Sequence, residues 1–299
     1  MESSARPAHA WTPPLGAVAA AGLLAALVAG PGCVDIVGAD IGRYVEREEK
    51  HFSVSGKPDV ALTTFDGSIE IRPWDKSEVE VIVEKRGRGK DDVAEIEVHS
   101  ELSGNHVEVT VREPRNRGFG LHFGGHSAKL IVSLPAASDV MARSGDGSID
   151  VERIDGRIQL RSGDGSIRAR DMGGDLDVHT GDGSIVLGGK LTTVRARSGD
   201  GSVTVRAAAG SMPAADWDIN TGDGSVTLEL PEDFAAELDA HTGDGRIHMQ
   251  DVTVSNVTGQ IGRNSLRGRL GAGGHSLRVR TGDGSITLRR PRTAEKPAT

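Results

Sequence analysis

The chain has 299 residues, 41 of them glycine, with one cysteine and a formal charge of −8 at pH 7. A single cysteine excludes an internal disulfide and a multi-cysteine metal site, and an acidic chain without basic runs is a poor match for nucleic acid. With 3% aromatic residues the chain has little to stack on sugar rings or bases, and we expect no large α/β core.

The first segment of the chain is typical of an export signal. Residues 15–30 are almost all Leu, Ala, Val and Gly, and they follow a polar start that contains Arg6. Such a stretch is too short to span a bilayer, which takes about 20 residues. The polar start, apolar centre and small residues predict a secretory signal peptide over 1–32, so that the mature protein lies outside the cytoplasm.

The single cysteine directly follows this apolar stretch. Gly32-Cys33 is similar to a bacterial lipobox, in which the cysteine receives lipid and becomes the mature N-terminus, although Gly30 and Pro31 depart from the pattern. We expect lipidation at Cys33, a linker over 33–51, and anchoring in the cell envelope, either periplasmic or at the surface. The membrane is then a partner through the N-terminal lipid. A cleaved signal with an incidental cysteine is the alternative.

Residues 52–135 alternate apolar and polar side chains without a fixed period. The stretches 78–83, 106–111 and 129–132 each predict a strand. We expect this irregular β part to cap the repeats that follow, because an open end would leave backbone groups unpaired. Between its strands lies a Gly-rich candidate interaction loop, with the residues Phe119, His122, Phe123 and His126. Folding of this loop over the end of the repeats, with both phenylalanines buried, is the alternative.

The rest of the chain repeats one hexad, Ser/Thr-Gly-Asp-Gly-Ser/Arg-Ile/Val. The hexads begin at Ser144, Ser162, Thr180, Ser198, Thr221, Thr242 and Thr281. Their spacings are 18, 18, 18, 23, 21 and 39 residues, and the last gap leaves room for a degraded copy near 262–266. So short a period is typical of stacked structural units rather than of separate domains.

Strands flank every hexad. The residues four and two positions before it are all apolar, and the Ile or Val that closes it is followed two positions later by another apolar residue. This period of two indicates strands with one buried face, and we expect Gly to accept a positive φ at the corner. We predict an all-β, single-domain β-solenoid with coils of about 18–21 residues over 136–290. A disordered tail follows at 291–299, and a β-sandwich is the competing fold.

Stacked coils would place the hexad aspartates in one row on the surface. These turn aspartates are Asp146, Asp164, Asp182, Asp200, Asp223, Asp244 and Asp283. Like charges about 4.8 Å apart repel each other, and we expect the mostly basic residues three positions earlier to compensate them. Calcium is the alternative, held loosely because the spacing differs from the calcium-binding nonapeptide pattern. We expect no other cofactor or metal.

The repeats resemble the bacterial "putative adhesin" domain of unknown function, a Gly/Asp-rich β-solenoid of envelope proteins. The likeness rests on Leu134-Pro135 leading into the Ser144 hexad, on 230–234 before the Thr242 hexad, and on 273–277 before the Thr281 hexad. It covers most of residues 52–290. The resemblance implies a β-solenoid and carries no catalytic residues to transfer to this chain.

The repetition itself argues against an enzyme, since equivalent corners cannot all be one catalytic centre. We expect a non-catalytic, exported envelope protein that acts as an adhesin-like or scaffold module, with an envelope protein or glycan as partner and no nucleic acid. One alternative is a polysaccharide-acting β-helix enzyme, for which the irregular stretches 207–218 and 232–239 offer carboxylates. Another is a partner protein in the sensing of envelope stress.

Overall fold

The computed structural model of the protein describes residues 34–36, 44–113, 125–258 and 263–291. The predicted signal peptide, Cys33, the residues Phe119, His122 and Phe123, and the tail beyond 291 lie outside these ranges. The expectations for them, and the domain boundaries that they imply, stay predictions.

Nearly all described secondary structure is β. The strands are β1 Val34–Ile36, β2 Tyr44–Ser53, β3 Asp59–Thr64, β4 Ile69–Trp74, β5 Glu78–Gly87, β6 Glu97–Ser103, β7 His106–Arg112, β8 Ser127–Pro135, β9 Asp139–Ser144, β10 Ile149–Glu152, β11 Asp155–Ser162, β12 Ile167–Thr180, β13 Ile185–Ser198, β14 Val203–Ala207, β15 Trp217–Thr221, β16 Val226–Glu229, β17 Ala236–Thr242, β18 Ile247–Gln250, β19 Ser255–Thr258, β20 Ser265–Leu270, β21 Ser276–Thr281 and β22 Ile286–Arg289. One short helix, α1 Lys90–Ala94, lies between β5 and β6.

One coil consists of two strands joined by a hexad turn, and it pairs in parallel with its neighbours. In the first strands Ile158 lies opposite Leu176, and in the second strands Ile167 lies opposite Ile185. β12 and β13 each continue from the second strand of one coil into the first strand of the next. The predicted β-solenoid is therefore confirmed, and the spacing of 18 residues is the length of one regular coil.

The inward side chains form a continuous aliphatic core. Every residue four or two positions before a hexad is at most 2% exposed, and the alternation of buried and more exposed residues resumes after the turn. The exception is Met249, which is only partly buried. Burial of each Ile, Leu or Val stabilises the stack by roughly 1.5–3 kcal/mol. Because a single coil has no partner for this apolar face, the coils are stable only as a stack.

At the C-terminal end the coils do not stack in the order of the chain. β15 pairs with β21, with Trp217 opposite Leu277, and β21 pairs in turn with β17, with Leu277 opposite Leu238. The second strands follow the same order. The coil 276–289, here called the inserted coil, therefore lies inside the coil 236–250, here called the end coil.

The 39-residue gap before the last hexad holds an antiparallel cap, so the expectation of a degraded coil near 262–266 is wrong. β20 runs antiparallel to β17, with Leu266 opposite Ala240, and β19 pairs antiparallel with β20. The gap is long because the chain passes outside the end coil before it returns to form the inserted coil. The cap covers the edge of β17, on which another chain could otherwise pair.

The N-terminal end is built in a similar way. The coil of β7 and β8 lies outside the coil of β3 and β4, and β9 and β10 stack on the inner side of that coil. β6 runs antiparallel to β7, and β5 runs antiparallel to β8. The irregular β cap expected from the sequence is thus confirmed, and it includes two coils that lack the full hexad.

Two strands begin inside the segment 33–51 that the sequence predicts as a linker. The short strand β1 pairs antiparallel with β2, with Val34 opposite Glu48. β2 pairs antiparallel with β5 over its whole length, with Tyr44 opposite Gly87. Ion pairs hold it, including one from Lys85 to Glu48 at 3.1 Å. The residues of β2 are mostly charged, so apolar periodicity gives no sign of this strand.

Candidate functional site

Each hexad turn is held by its first residue, a buried serine or threonine. At the first hexad the amide of Gly147 donates to Ser144 Oγ at 3.0 Å, and that hydroxyl donates to the carbonyl oxygen of Gly67, one coil away, at 2.8 Å. The bond from hydroxyl to neighbouring carbonyl recurs at Ser162, Thr180, Ser198, Thr221, Thr242 and Thr281. These hydroxyls therefore connect successive turns through the whole stack. The sequence shows the Ser/Thr repeat but not its role.

The second glycine of the hexad is required by the closeness of the next turn. The φ of Gly183 lies outside the left-handed region, so the expected role of glycine in accepting a positive φ is wrong here. A Cβ at Gly183 would lie 2.5 Å from the carbonyl carbon of Gly165 and 2.8 Å from the amide nitrogen of Ser166. Only glycine lets the two backbones approach this closely.

The turn aspartates are exposed and follow the stacking order of the coils, from Asp146 to Asp244. Within the described residues no ion pair reaches them, and no three His, Cys, Asp or Glu side chains converge to hold a metal. Asp66 occupies the equivalent place in the turn between β3 and β4. Partial burial raises the pKa of Asp66, and the charge of Asp146 raises it further. Calcium at this row stays a prediction.

Two arginines of the basic row beside the turns pair with carboxylates on their own sheet face. Arg197 pairs with Asp218 at 2.7 Å, and Arg280 pairs with Asp239 at 2.6 Å. Burial by itself would raise the pKa of Asp239, but hydrogen bonds from Arg280 and Arg267 outweigh it and hold this pKa below its usual value. Contrary to expectation, these arginines compensate face carboxylates rather than the turn aspartates.

A groove of about 970 Å³ runs along the side of the stack where the second strands end. Its floor includes Gly188, Gly189 and the small residues 207–209. Charged residues from five coils line it, namely Arg170, Asp171, Arg206, Glu229, Glu232, Asp251 and Arg290. Sequence reasoning missed the groove, although the 23-residue spacing after Ser198 marks the longer coil beside it.

Of the predicted interaction loop, only His126 is among the described residues. Its Nε2 lies 3.9 Å from Asp92 Oδ2 and has no hydrogen-bond partner within the described part of the chain. The structure therefore does not test whether the four side chains meet. Among the described helices, none is long and apolar enough to cross a membrane.

Most of the chain matches one known protein family. Residues 59–289 match a family model described as Toastrack DUF4097. The match begins at the first residue of β3 and ends at the last residue of β22. It therefore covers the coils and the antiparallel strands between them. No curated protein matches the chain.

Solved structures from several bacteria match the chain at low sequence identity. A "putative cell adhesion protein" from Clostridium sporogenes is 15% identical, with 82% of this chain and 99% of that chain covered and a TM-score of 0.38. A "putative adhesin" from Parabacteroides merdae is 11% identical, with 81% and 95% covered and a TM-score of 0.34. A "putative lipid binding protein" from Parabacteroides distasonis is 12% identical, with 81% and 96% covered and a TM-score of 0.33.

Proposed function

We propose that this chain, which belongs to the Toastrack DUF4097 family, is a non-catalytic, exported envelope protein that acts as an adhesin-like or scaffold module. One observation carries the proposal. Equivalent turns, each with an exposed aspartate, recur on the described surface at all seven hexads, whereas catalysis needs one place where an acid, a base or a nucleophile converge. A rigid stack with a repeating surface suits binding to an extended or repeating partner.

Export and anchoring rest on the sequence. The apolar stretch 15–30 followed by Cys33 supports a signal peptide with lipid attachment at that cysteine. A lipid at Cys33 would then hold the domain close to the membrane, because β1 begins at the next residue and pairs with β2, with Val34 opposite Glu48.

Cell fractionation tests this part of the proposal. We expect the full chain in the membrane fraction and the Cys33→Ala variant in the soluble exported fraction. Ser4→Ala provides a control in the same signal region, with membrane attachment retained. If Cys33→Ala stays in the membrane fraction, lipid attachment at that residue is contradicted.

Capture from envelope extracts, combined with a glycan array, tests the binding role. We expect the exported domain to retain an envelope protein or glycan and to leave the glycan intact. A captured signalling protein would instead favour the alternative role in sensing envelope stress. Absence of any retained envelope component would contradict the adhesin-like or scaffold role.

The groove favours a second candidate, a polysaccharide-acting enzyme. Two carboxylates can suffice for glycoside hydrolysis, and Asp171, Glu232 and Asp251 all line the groove. The assay is release of reducing ends from envelope polysaccharides. Cleavage that Glu232→Gln abolishes, without a change in unfolding midpoint, would establish the enzyme and overturn the binding role.

A further inference from the structure

The end coil carries a basic side chain where the other hexads carry serine. The fifth hexad residue is Ser148, Ser166, Ser184, Ser202, Ser225 or Ser285 in the other coils, and Arg246 in the end coil. The stacking order explains the position of this exception. The inserted coil separates the end coil from β15 and β16, so Arg246 lies on the outermost hexad turn of the stack.

The cap places a second arginine beside Arg246. The amide of Ile247 donates to the carbonyl oxygen of Arg263 at 3.1 Å, and the amide of Thr242 donates to the carbonyl oxygen of Asn264 at 2.9 Å. The backbone at Arg263 therefore crosses the outer side of the Thr242 hexad. Both arginine side chains are exposed, and within the described residues neither has a salt-bridge partner.

Other arginines of the cap are already neutralised. Arg267 pairs with Asp239 at 3.2 Å, and Arg269 pairs with Glu237 at 2.8 Å. The acidic residue closest in sequence to Arg246 is the turn aspartate Asp244. It is exposed, and it forms no salt bridge within the described chain. Within the described residues, the outer hexad turn thus has two guanidinium groups without an ion pair, Arg246 of the end coil and Arg263 of the cap, against the one carboxylate of Asp244.

Charge is unevenly distributed along the stack. Residues 236–291 contain eight arginines and five carboxylates, a net charge of +3, whereas 44–113 contain ten Lys and Arg and seventeen carboxylates, a net charge of −7. The antiparallel caps place these two segments at opposite ends of the stack. In a chain with a net charge of −8, the C-terminal end is the place where an anionic partner meets least repulsion.

We propose that the outer end of the stack, at Arg246 and Arg263, is a docking surface for an acidic polysaccharide. This inference rests on the proposed envelope role and names the partner class. A guanidinium group presents a planar fork of donors that matches a carboxylate, and two of them on adjacent backbones can engage successive acidic groups of one polymer.

The composition of this end disfavours single-stranded nucleic acid and an inserted bilayer as its partner. Residues 236–291 contain no Phe, Trp or Tyr, so this segment offers no aromatic ring on which single-stranded bases could stack. The large hydrophobic residues that the described chain exposes are Leu102 and Met212, and neither lies in this segment. This end therefore presents no large apolar side chain that could insert into a bilayer. Recognition therefore rests on charge and hydrogen bonding.

Titration of the folded domain with polygalacturonate, with dextran as the neutral comparison, tests the inference. We expect the double variant Arg246→Ser/Arg263→Ser to weaken binding about tenfold, as two charge-assisted contacts would, and to reduce the salt dependence. Arg246→Ser introduces the serine that the other hexads carry, so the unfolding midpoint is expected to stay unchanged. Arg161→Ser/Arg168→Ser removes two exposed arginines from the middle of the stack and is the matched control, with less than a twofold effect.

Three results would overturn the inference. The first is equal weakening by the control Arg161→Ser/Arg168→Ser, and the second is no binding of polygalacturonate at low salt. The third is tighter binding to vesicles with anionic lipid or to duplex DNA than to polygalacturonate. None of these results affects the fractionation of Cys33→Ala or capture from envelope extracts. The failure of this inference is therefore distinguishable from failure of the proposed function.

Discussion

Replacement of Gly183 by alanine tests how the turns are packed. The added Cβ would lie 2.5 Å from the carbonyl carbon of Gly165, whereas an ordinary contact is 3.4–4 Å. The two turns would have to separate by roughly 1 Å. Hydrogen bonds of 2.9 Å between neighbouring coils, such as that from the Ile167 amide to the Ser184 carbonyl, resist this separation. We expect a loss of about 3 kcal/mol in the free energy of unfolding, since both the strain and the weakened bonds contribute.

Urea denaturation measures this loss. With a slope of about 3 kcal/mol per molar urea, the midpoint should fall by about 1 M. Gly89→Ala is the matched control, because its Cβ would meet nothing within 4 Å, and we expect a change below about 0.5 kcal/mol. Gly183→Asn distinguishes a packing effect from an effect of backbone conformation. Asparagine tolerates a positive φ but carries a Cβ, so a loss of stability in this variant as well indicates that the Cβ is the cause. Midpoints for Gly183→Asn or Gly183→Ala equal to that of Gly89→Ala would refute the reasoning.

Three further predictions concern other parts of the coil. Thr180→Val should cost about 1–3 kcal/mol, because the carbonyl of Gly165 loses its buried donor, whereas Thr180→Ser should recover most of the loss in the same urea assay. Ile167→Asp should abolish the cooperative unfolding transition by burying an unpaired charge; a transition as stable as that of the exposed control Arg168→Asp would contradict the core. Because the pKa of Asp239 is lowered by folding, its contribution to stability is present above about pH 4 and lost as the pH falls through the folded value. Asp239→Asn should therefore show a smaller loss of stability in acid than the parent chain, and parallel pH profiles of the two proteins would disprove this.

The fold within a coil follows from local pattern. Apolar residues two and four positions before each hexad identify the inward positions, and strict periodicity forces equivalent positions into register. The same reasoning cannot give the order of the coils at the ends. Trp217 could pair with Leu238 or with Leu277, because both residues fit an identical pattern, and only the path of the connecting chain decides between them.

The candidate site was less predictable than the fold. The row of turn aspartates follows directly from the sequence repeat. That Arg246 and Arg263 lie on adjacent backbones, in contrast, depends on the coil order and on the cap. The groove near Gly188 arises where coils of unequal length meet, so no local motif marks it. Charged strands such as β2 were not predicted either, because ion pairs stabilise them and their sequence lacks the apolar alternation that identifies a strand.

Disulfide formation between introduced cysteines tests the coil order most directly. Hydrogen bonds join Ser225 to Ser285, and Ser285 to Arg246, in adjacent coils. Adjacent strands lie about 4.8 Å apart, within the range of a disulfide, whereas two coils span about 9.6 Å, which is beyond it. In the Cys33→Ala chain we therefore expect rapid oxidation of Ser225→Cys/Ser285→Cys and of Ser285→Cys/Arg246→Cys, with none for Ser225→Cys/Arg246→Cys. Efficient oxidation of the last pair, with none of the first, would show that the coils stack in chain order and would contradict the account.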